Sequence, residues 1–191
     1  MEKSNKIDHP VFSEIEHRKS IRAFTNKPIE QDKINSLFEA ARWSFSSSNE
    51  QAWTYIYATK DQPLWTDLYN CLVESNQEWC KHAPMLILTL AKKQTSKDKP
   101  YRHNLHDVGA SSMLMALQAV NLGFQVHPMA GFDGEKARAT FNIPDRFETV
   151  TMMAAGYASH DVSHLKDYQQ KAEKERGERF VQREFVLNTK F

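Results

Sequence analysis

The sequence predicts an α+β fold, with helices around a central sheet, in one domain of 191 residues. Ile34, Leu37, Phe38 and Ala41 recur at the spacing of one helix face. The run PMLILTLA, residues 84–91, is continuously apolar, which is typical of a strand buried on both faces. The strands are spaced too irregularly for a simple βαβ repeat, so α+β is preferred over a parallel α/β fold.

The remaining elements follow from local signals along the chain. Leucines four residues apart predict a second helix, and Gly123 is a natural stop for a long, nearly all-apolar one. Asp133 is a suitable N-cap for a short helix. The predicted order is a polar leader over 1–9, helix 31–43, strand 53–59, helix 63–81, strand 84–91, helix 104–122, a strand and loop over 124–132, helix 133–141, strand 149–157 and an extended, charged tail over 160–191.

Composition narrows the function classes. Lys plus Arg number 25 and Asp plus Glu 24, whereas a nucleic-acid-binding protein usually has a basic excess. The two cysteines, Cys71 and Cys80, argue against a disulfide framework and for a reducing compartment. No apolar run approaches the roughly 20 residues that span a bilayer, and no signal peptide is apparent. We therefore expect a soluble cytoplasmic protein that binds neither nucleic acid nor membrane.

A tight cationic cluster lies near the N-terminus, in the stretch HRKSIRAF, residues 17–24. Such a charge run is often only a solvated surface. The alternative is a phosphate site, because arginine offers a planar fork of donors and Ser20 adds a hydroxyl. No Gly-rich phosphate motif of the Rossmann or P-loop kind occurs. A phosphorylated small molecule fits this cluster better than a nucleic acid does.

A polar stretch, FSSSNEQAW, residues 45–53, separates the first predicted helix from the first predicted strand. It could be an ordinary loop with local Ser and Asn hydrogen bonds. It could also supply neutral hydrogen-bonding groups to a polar aromatic ligand.

Taken together, HRKSIRAF and PIEQDKINSLFEAARWSFSSSNEQAW resemble the opening of the FMN-dependent nitroreductase family. NLGFQVHPMAGFD, TVTMMAAGY and the tail from Arg179 are similar to its later motifs, so the resemblance covers nearly the whole chain. Phe45, Ala52 and Val181 stand where the family usually has proline. The resemblance implies a three-layer α/β/α sandwich with a mixed, mainly antiparallel sheet, and a C-terminal extension that reaches across a homodimer.

The resemblance also implies which residues bind FMN. Arg18, Ser20 and Arg179 are expected at the phosphate, with Lys19 beside them, partly through its backbone. Arg22 is expected at the pyrimidine side of the ring. The partner subunit is expected to supply neutral groups and one aromatic residue: Phe45, Ser46, Ser47, Asn49 and, as a lesser candidate, Gln51. The loop against the reactive edge is expected to contain Pro128, Met129, Ala130 and Gly131, with the backbone N–H of Ala130 facing the flavin N5 atom.

The implied activity is ping-pong oxidoreduction, in which NAD(P)H reduces tightly bound FMN and a nitroaromatic, quinone or related small-molecule acceptor is then reduced. No catalytic side chain is expected, because the flavin carries the chemistry. Two alternatives remain open: an NAD(P)H-independent flavoenzyme of the same fold, and a non-catalytic FMN-binding or storage protein.

Several other residues leave their roles open. The pair His103 and His106 has the spacing of a helical metal pair, but no Cys or Glu cluster completes a site, so no metal is expected. Trp79 and Tyr101 could stack with substrate or pack in the core. Asn76 is a further candidate for flavin contact.

Overall fold

A computed structural model describes residues 1–190, and its centre is a four-stranded antiparallel sheet in the order β2-β3-β5-β4. Strand β3 lies inside the sheet and is buried from its first residue to its seventh, as its unbroken apolar run predicts. The predicted strands are confirmed to within two residues. Their bounds are Trp53–Thr59 for β2, Met85–Lys92 for β3, Gln125–Met129 for β4 and Phe147–Gly156 for β5.

Helices cover both faces of this sheet, and the alternation of side chains along β3 separates two cores. Met85 and Ile87 face a core shared with two helices, α2 and α5. Leu86 and Leu88 face the opposite core, which contains residues of α3, α4 and α6. The three-layer α/β/α sandwich is thus confirmed. The helices are α1 Ser13–His17, α2 Gln31–Arg42, α3 Pro63–Asn70, α4 Glu74–Cys80, α5 Asn104–Asn121, α6 Gly134–Thr140 and α7 Asp167–Lys174.

The prediction of one helix over 63–81 was wrong, because the chain breaks into α3 and α4 at residues 71–73. The break serves a long-range contact. Leu72 forms a bridge with Phe132, and the N–H of Asp133 donates to the carbonyl of Cys71 at 2.8 Å. The backbone that a continuous helix would use internally therefore anchors the loop after β4.

The two chain ends pack on each other and are more structured than the sequence indicated. Strand β1, Lys3–Ser4, lies in the predicted polar leader and pairs with β6, Arg179–Phe180. The tail, predicted as extended, contains α7, on which Gln169 is 4% exposed. The partner of each chain end is distant in the sequence, so the short polar segments that form β1 and β6 carry no local pattern that predicts this pairing.

Helix α5 follows its prediction closely and ends just before Gly123, whose φ of 85° favours glycine. One side of α5 is buried, but the opposite side exposes Leu105, Met113 and Leu114. Over residues 1–190, none of the helices combines the length and apolarity that crossing a bilayer requires.

Candidate functional site

The basic stretch at residues 17–22 lies along the free edge of the sheet, beside β4. The side-chain oxygen of Gln125 accepts the N–H of Lys19 at 3.0 Å, and its amide donates to the carbonyl of His17 at 3.2 Å. Two residues further along each segment, His127 Nδ1 lies 2.7 Å from the carbonyl of Ile21, which makes this nitrogen the donor. Side chains of β4 thus fix the path of the basic loop.

Three arginines surround a cavity of about 160 Å³ at the start of this loop. Arg18 lies 3.4 Å from the Ser20 hydroxyl, and Arg179 lines the same cavity. Arg176 joins them from beyond the end of α7 and was not identified from the sequence, although it lies in the charged run KAEKERGER. The fold therefore concentrates three positive charges around one opening.

Within residues 1–190, none of the three guanidinium groups forms a salt bridge. Arg176 and Arg179 donate to backbone carbonyls instead. Burial, followed by repulsion from Arg179 and then from Arg176, lowers the pKa of Arg18. Two carboxylates also line the cavity, but Glu173 accepts the N–H of Arg22 at 2.8 Å and Glu175 lies 3.9 Å from Lys171. Counting Lys19, four cationic side chains line the cavity against two carboxylates, and this net positive charge favours an anion.

Lys19 departs from its predicted role in one respect. The expectation that its backbone helps to hold the phosphate was wrong, because its N–H already donates to Gln125. Only its side chain remains to contribute to the cavity that it lines.

Arg22 lies further along the same edge, over a buried aromatic stack. Its guanidinium carbon is 5.9 Å from the ring centroid of Trp79, which stacks on His127 at 4.7 Å. Burial lowers the pKa of His127 to about 4, so the ring is neutral near pH 7. Trp79 is only 2% exposed, which makes it a support for Arg22 rather than a stacking surface for substrate.

The loop after β4 is held from below by the break between α3 and α4. The carbonyl of Gly131 accepts the side-chain amide of Asn76 at 3.0 Å and the N–H of Val73 at 3.2 Å. A Cβ at Gly131 would lie 2.6 Å from Asn76 Nδ2, so only glycine fits without a shift. Asn76 therefore positions this loop.

Within this loop, Pro128 and Ala130 are exposed, whereas Met129 is 3% exposed. The Met129 side chain points inward to Cys80, at 3.4 Å between the sulfur atoms, so this residue can face a ligand only through its backbone. Alternation along β4 imposes that direction. The exposed side of the loop is formed by its small residues and the proline.

The second polar stretch, residues 45–51, is a tight loop with an unusual backbone. Ser48, Asn49 and Gln51 all have positive φ angles, between 50° and 57°. Ser46 Oγ accepts the N–H of Gln51 at 3.0 Å, and the Gln51 amide donates to the carbonyl of Asn49 at 3.1 Å. Gln51 therefore shapes the loop from within. Phe45 is 67% exposed and packs on His106, 5.6 Å between ring centroids.

The two predicted halves of the site lie at opposite ends of α5. Asp107, in the first turn, accepts the N–H of Ser47 at 3.0 Å. Asn121, the last residue, donates to Glu14 at 3.1 Å, just before the basic loop. Fourteen residues of helix separate them by about 21 Å. The chain therefore brings together residues 18–22, 128–131 and Arg179 along one edge, and it places residues 45–51 elsewhere.

Comparison of the sequence with known protein families identifies the family to which this chain belongs. The Nitroreductase family profile matches residues 15–74 and 70–157. The chain belongs to the nitroreductase family. Both the basic loop and the loop after β4 lie inside the matched residues, whereas Arg176 and Arg179 lie beyond them.

Individual relatives agree with membership of the nitroreductase family. A solved structure described as an oxidoreductase containing FMN superposes with a TM-score of 0.90 at 30% identity, covering 100% of this chain and 98% of that one. A Ralstonia nicotianae protein named putative NADH dehydrogenase/NAD(P)H nitroreductase is 18% identical over 181 residues, which is 84% of this chain and 92% of that protein. An uncharacterized 15.4 kDa protein of Mycolicibacterium smegmatis is 31% identical over 87 residues, 46% of this chain and about half, 54%, of that relative.

Proposed function

We propose that this nitroreductase-family chain is an FMN-dependent oxidoreductase that takes electrons from NAD(P)H and reduces nitroaromatic, quinone or related electron-poor acceptors. The family match supports an oxidoreductase. The FMN-containing structure at 30% identity supports the flavin, and the name of the Ralstonia relative supports the nicotinamide donor.

The observation that carries the proposal is the arginine cavity beside β4. Three guanidinium groups without carboxylate partners, together with a serine hydroxyl, form a donor set suited to a phosphate monoester. Arg18, Ser20 and Arg179 hold the FMN phosphate, with Arg176 as a further ligand. Lys19 adds charge through its side chain.

The same edge suits the flavin ring. When bound there, FMN would supply the redox chemistry of a ping-pong reaction between a nicotinamide donor and the acceptor that replaces it. The Arg22 guanidinium forms no salt bridge within residues 1–190, so its charge would be available to stabilise negative charge on the pyrimidine side of a bound flavin. From Gln125 to Ala130 the edge extends about 16 Å, enough to separate the phosphate end from the ring end.

The loop after β4 lies at the ring end of this edge. Asn76 and Val73 turn the Gly131 carbonyl inward, away from the exposed side of the loop. The small side chain of Ala130 and the missing side chain of Gly131 let the backbone approach a flat ring closely. The backbone N–H of Ala130 is the donor that we assign to the flavin N5 atom.

The second half of the site comes from a partner subunit in a homodimer. One helix length separates residues 45–51 from Arg18, so a second copy with α5 running in the opposite direction can supply the missing loop. The surface between the two ends is apolar: Phe12, Trp43, Leu114 and Leu117 line a groove of about 450 Å³. The exposed Phe185 and Leu187 of the tail provide further surface for the partner.

An absorbance spectrum of the purified protein, followed by anaerobic addition of NADPH and then NADH, tests the function. We expect flavin bands that bleach with one or both nucleotides and recover when a quinone is added. Bands that persist with both nucleotides would instead support an NAD(P)H-independent enzyme or a storage protein. A colourless protein that takes up no added FMN would refute the proposal.

A further inference from the structure

Asp107, in the first turn of α5, is a buried carboxylate that contacts three residues at or beside the loop at residues 45–51: Ser47, Tyr101 and His106. Its side chain is 1% exposed. One oxygen, Oδ2, accepts the N–H of Ser47 at 3.0 Å and the hydroxyl of Tyr101. The other, Oδ1, lies 3.2 Å from His106 Nδ1. Both oxygens are therefore occupied by donors from the chain itself.

These bonds fix the loop at two points. Tyr101, itself 6% exposed, places the same hydroxyl 3.1 Å from the carbonyl of Ser47, so its one proton is shared between Asp107 and this carbonyl, and the firm hold on Ser47 is the bond from its N–H to Asp107. His106 carries Phe45 on its ring, 5.6 Å between centroids. Through Ser47 and His106, Asp107 sets the position of the exposed aromatic ring and of the polar groups that follow it.

The loop needs external support because its backbone is unfavourable. Ser48, Asn49 and Gln51 have positive φ angles, which cost free energy in residues other than glycine. Such a conformation persists only where surrounding contacts determine it. Helix α5 supports this loop through two side chains. Asp107 accepts the N–H of Ser47, and the His106 ring, which Asp107 holds, packs against Phe45.

We propose that Asp107 is a positioning residue, which presents Phe45, Ser46, Ser47 and Asn49 of one subunit to the FMN bound by the partner subunit. The inference depends on the proposed function and deepens it. Asp107 itself contacts no cofactor. Its effect on FMN binding is transmitted by the Ser47 backbone and the His106 ring.

The first experiment measures the dissociation constant of FMN from apo-protein by quenching of flavin fluorescence. Asp107→Ala leaves the Ser47 N–H without its acceptor, and we expect FMN binding about tenfold to a hundredfold weaker. Asp107→Asn keeps one oxygen for Ser47 and Tyr101 and offers an amide donor to His106 Nδ1, so we expect it to restore most of the affinity. A wild-type constant for Asp107→Ala would overturn the proposal.

A matched control is Asn104→Ala, one turn earlier on α5. Asn104 is 7% exposed, donates to the carbonyl of Lys92 at 3.0 Å and to Glu148, and forms no hydrogen bond with residues 45–51. It should lower the thermal midpoint of the apo-protein without changing FMN affinity. Should Asp107→Ala fail to fold, Tyr101→Phe removes one hydroxyl from the same cluster, and we expect several-fold weaker binding. Unchanged affinity in Tyr101→Phe would then count against the proposal.

The second experiment uses mixed dimers, made by co-expressing differently tagged Arg18→Ala and Asp107→Ala chains. If Asp107 acts on the partner's FMN, one of the two sites combines both defects and the other has neither. We expect each mutant homodimer to lose FMN at a concentration where the mixed dimer retains one FMN per two chains. Mixed dimers without FMN would mean that Asp107 acts on the site of its own chain, which overturns the assignment.

The two levels of inference fail differently. A wild-type protein that binds no FMN refutes the proposed function and this inference with it. A wild-type protein that binds FMN, with Asp107→Ala unaffected, refutes only the role of Asp107.

Discussion

At the scale of single residues, Arg18 best shows how charge prepares the site. Its guanidinium is half-buried beside Arg176 and Arg179, and this burial and repulsion lower its pKa. A dianionic phosphate relieves that repulsion. An anion in this cavity should therefore be bound more favourably than one beside a single exposed arginine.

Replacing Arg18 with alanine should weaken FMN binding by about 1.5–3 kcal/mol, the scale of a hydrogen bond to a charged group. The measurement is a fluorescence titration of apo-protein with FMN at two salt concentrations. Arg42→Ala is the control, because Arg42 is exposed on α2 and paired with Glu39. Unchanged flavin retention in Arg18→Ala would remove Arg18 from the phosphate site.

Gly131 carries a second prediction, which concerns packing rather than charge. A methyl group there meets Asn76 Nδ2 at 2.6 Å and Val73 Cγ2 at 2.9 Å. Gly131→Ala should lower the free energy of unfolding by about 1–3 kcal/mol, as overpacking does. In an Asn76→Ala background the cost should be smaller, and urea unfolding of the four proteins measures the coupling. Strictly additive effects would contradict the contact.

The sequence could indicate candidate residues by their type and their motif. It could not predict where distant segments meet or which way a side chain points, because the fold sets both. The residue types around Arg18 were enough to suggest a phosphate site beside the alternative of a solvated surface. Arg176 was missed because its place depends on how α7 returns to the N-terminal segment. Met129 was predicted as part of the loop against the flavin, but the sequence did not indicate that its side chain turns inward with the alternation of β4. Asp107 was missed because a buried carboxylate has no sequence signature.

At the scale of elements, α3 and α4 show why one boundary failed. Leucines at a spacing of four predict a continuous helix, and this local preference is outweighed by the bridge between Leu72 and Phe132. That bridge joins the helix break to the loop after β4. The prediction of one continuous helix therefore failed at residues 71–73, where the backbone instead supports the loop after β4.

The contact between β4 and the basic loop predicts a pH dependence of stability. His127 has its pKa lowered by burial from 6.5 to about 4. The unfolded state therefore binds more protons between these values, so the free energy of unfolding falls as the pH falls through this window. The loss should reach about 3 kcal/mol at the lower end.

His127→Asn isolates this contribution, because an amide can still donate to the carbonyl of Ile21 but does not titrate. Urea unfolding between about pH 7 and pH 4.5 should give a shallower pH dependence in the variant than in the wild type. His82, whose pKa is also lowered, mainly by burial, remains in both proteins and cancels in the comparison. Identical slopes would show that His127 is not the titrating group.

At the scale of the whole molecule, the proposed site requires two copies of the chain, because the length of α5 separates its two halves. The exposed side of α5 and its neighbours should be covered in a homodimer, so gel filtration should give twice the protomer mass of 22.1 kDa. Leu114→Glu places a charge in the apolar groove that contains Phe12 and Trp43. We expect a monomer with wild-type circular dichroism and strongly weakened FMN binding, although the arginine cavity is intact.

Leu64→Glu is the matched control for this prediction. Leu64 and Leu114 are exposed to nearly the same degree, 38% and 36%, but Leu64 lies on α3, on the other face of the sheet. This variant should remain dimeric and keep its flavin. A monomeric Leu114→Glu protein that binds FMN as tightly as wild type would mean that residues 18–22, 128–131 and Arg179 form a complete site. Dimerisation would then serve a purpose other than completing the site, and the role of residues 45–51 as a partner-supplied wall would be refuted along with that of Asp107.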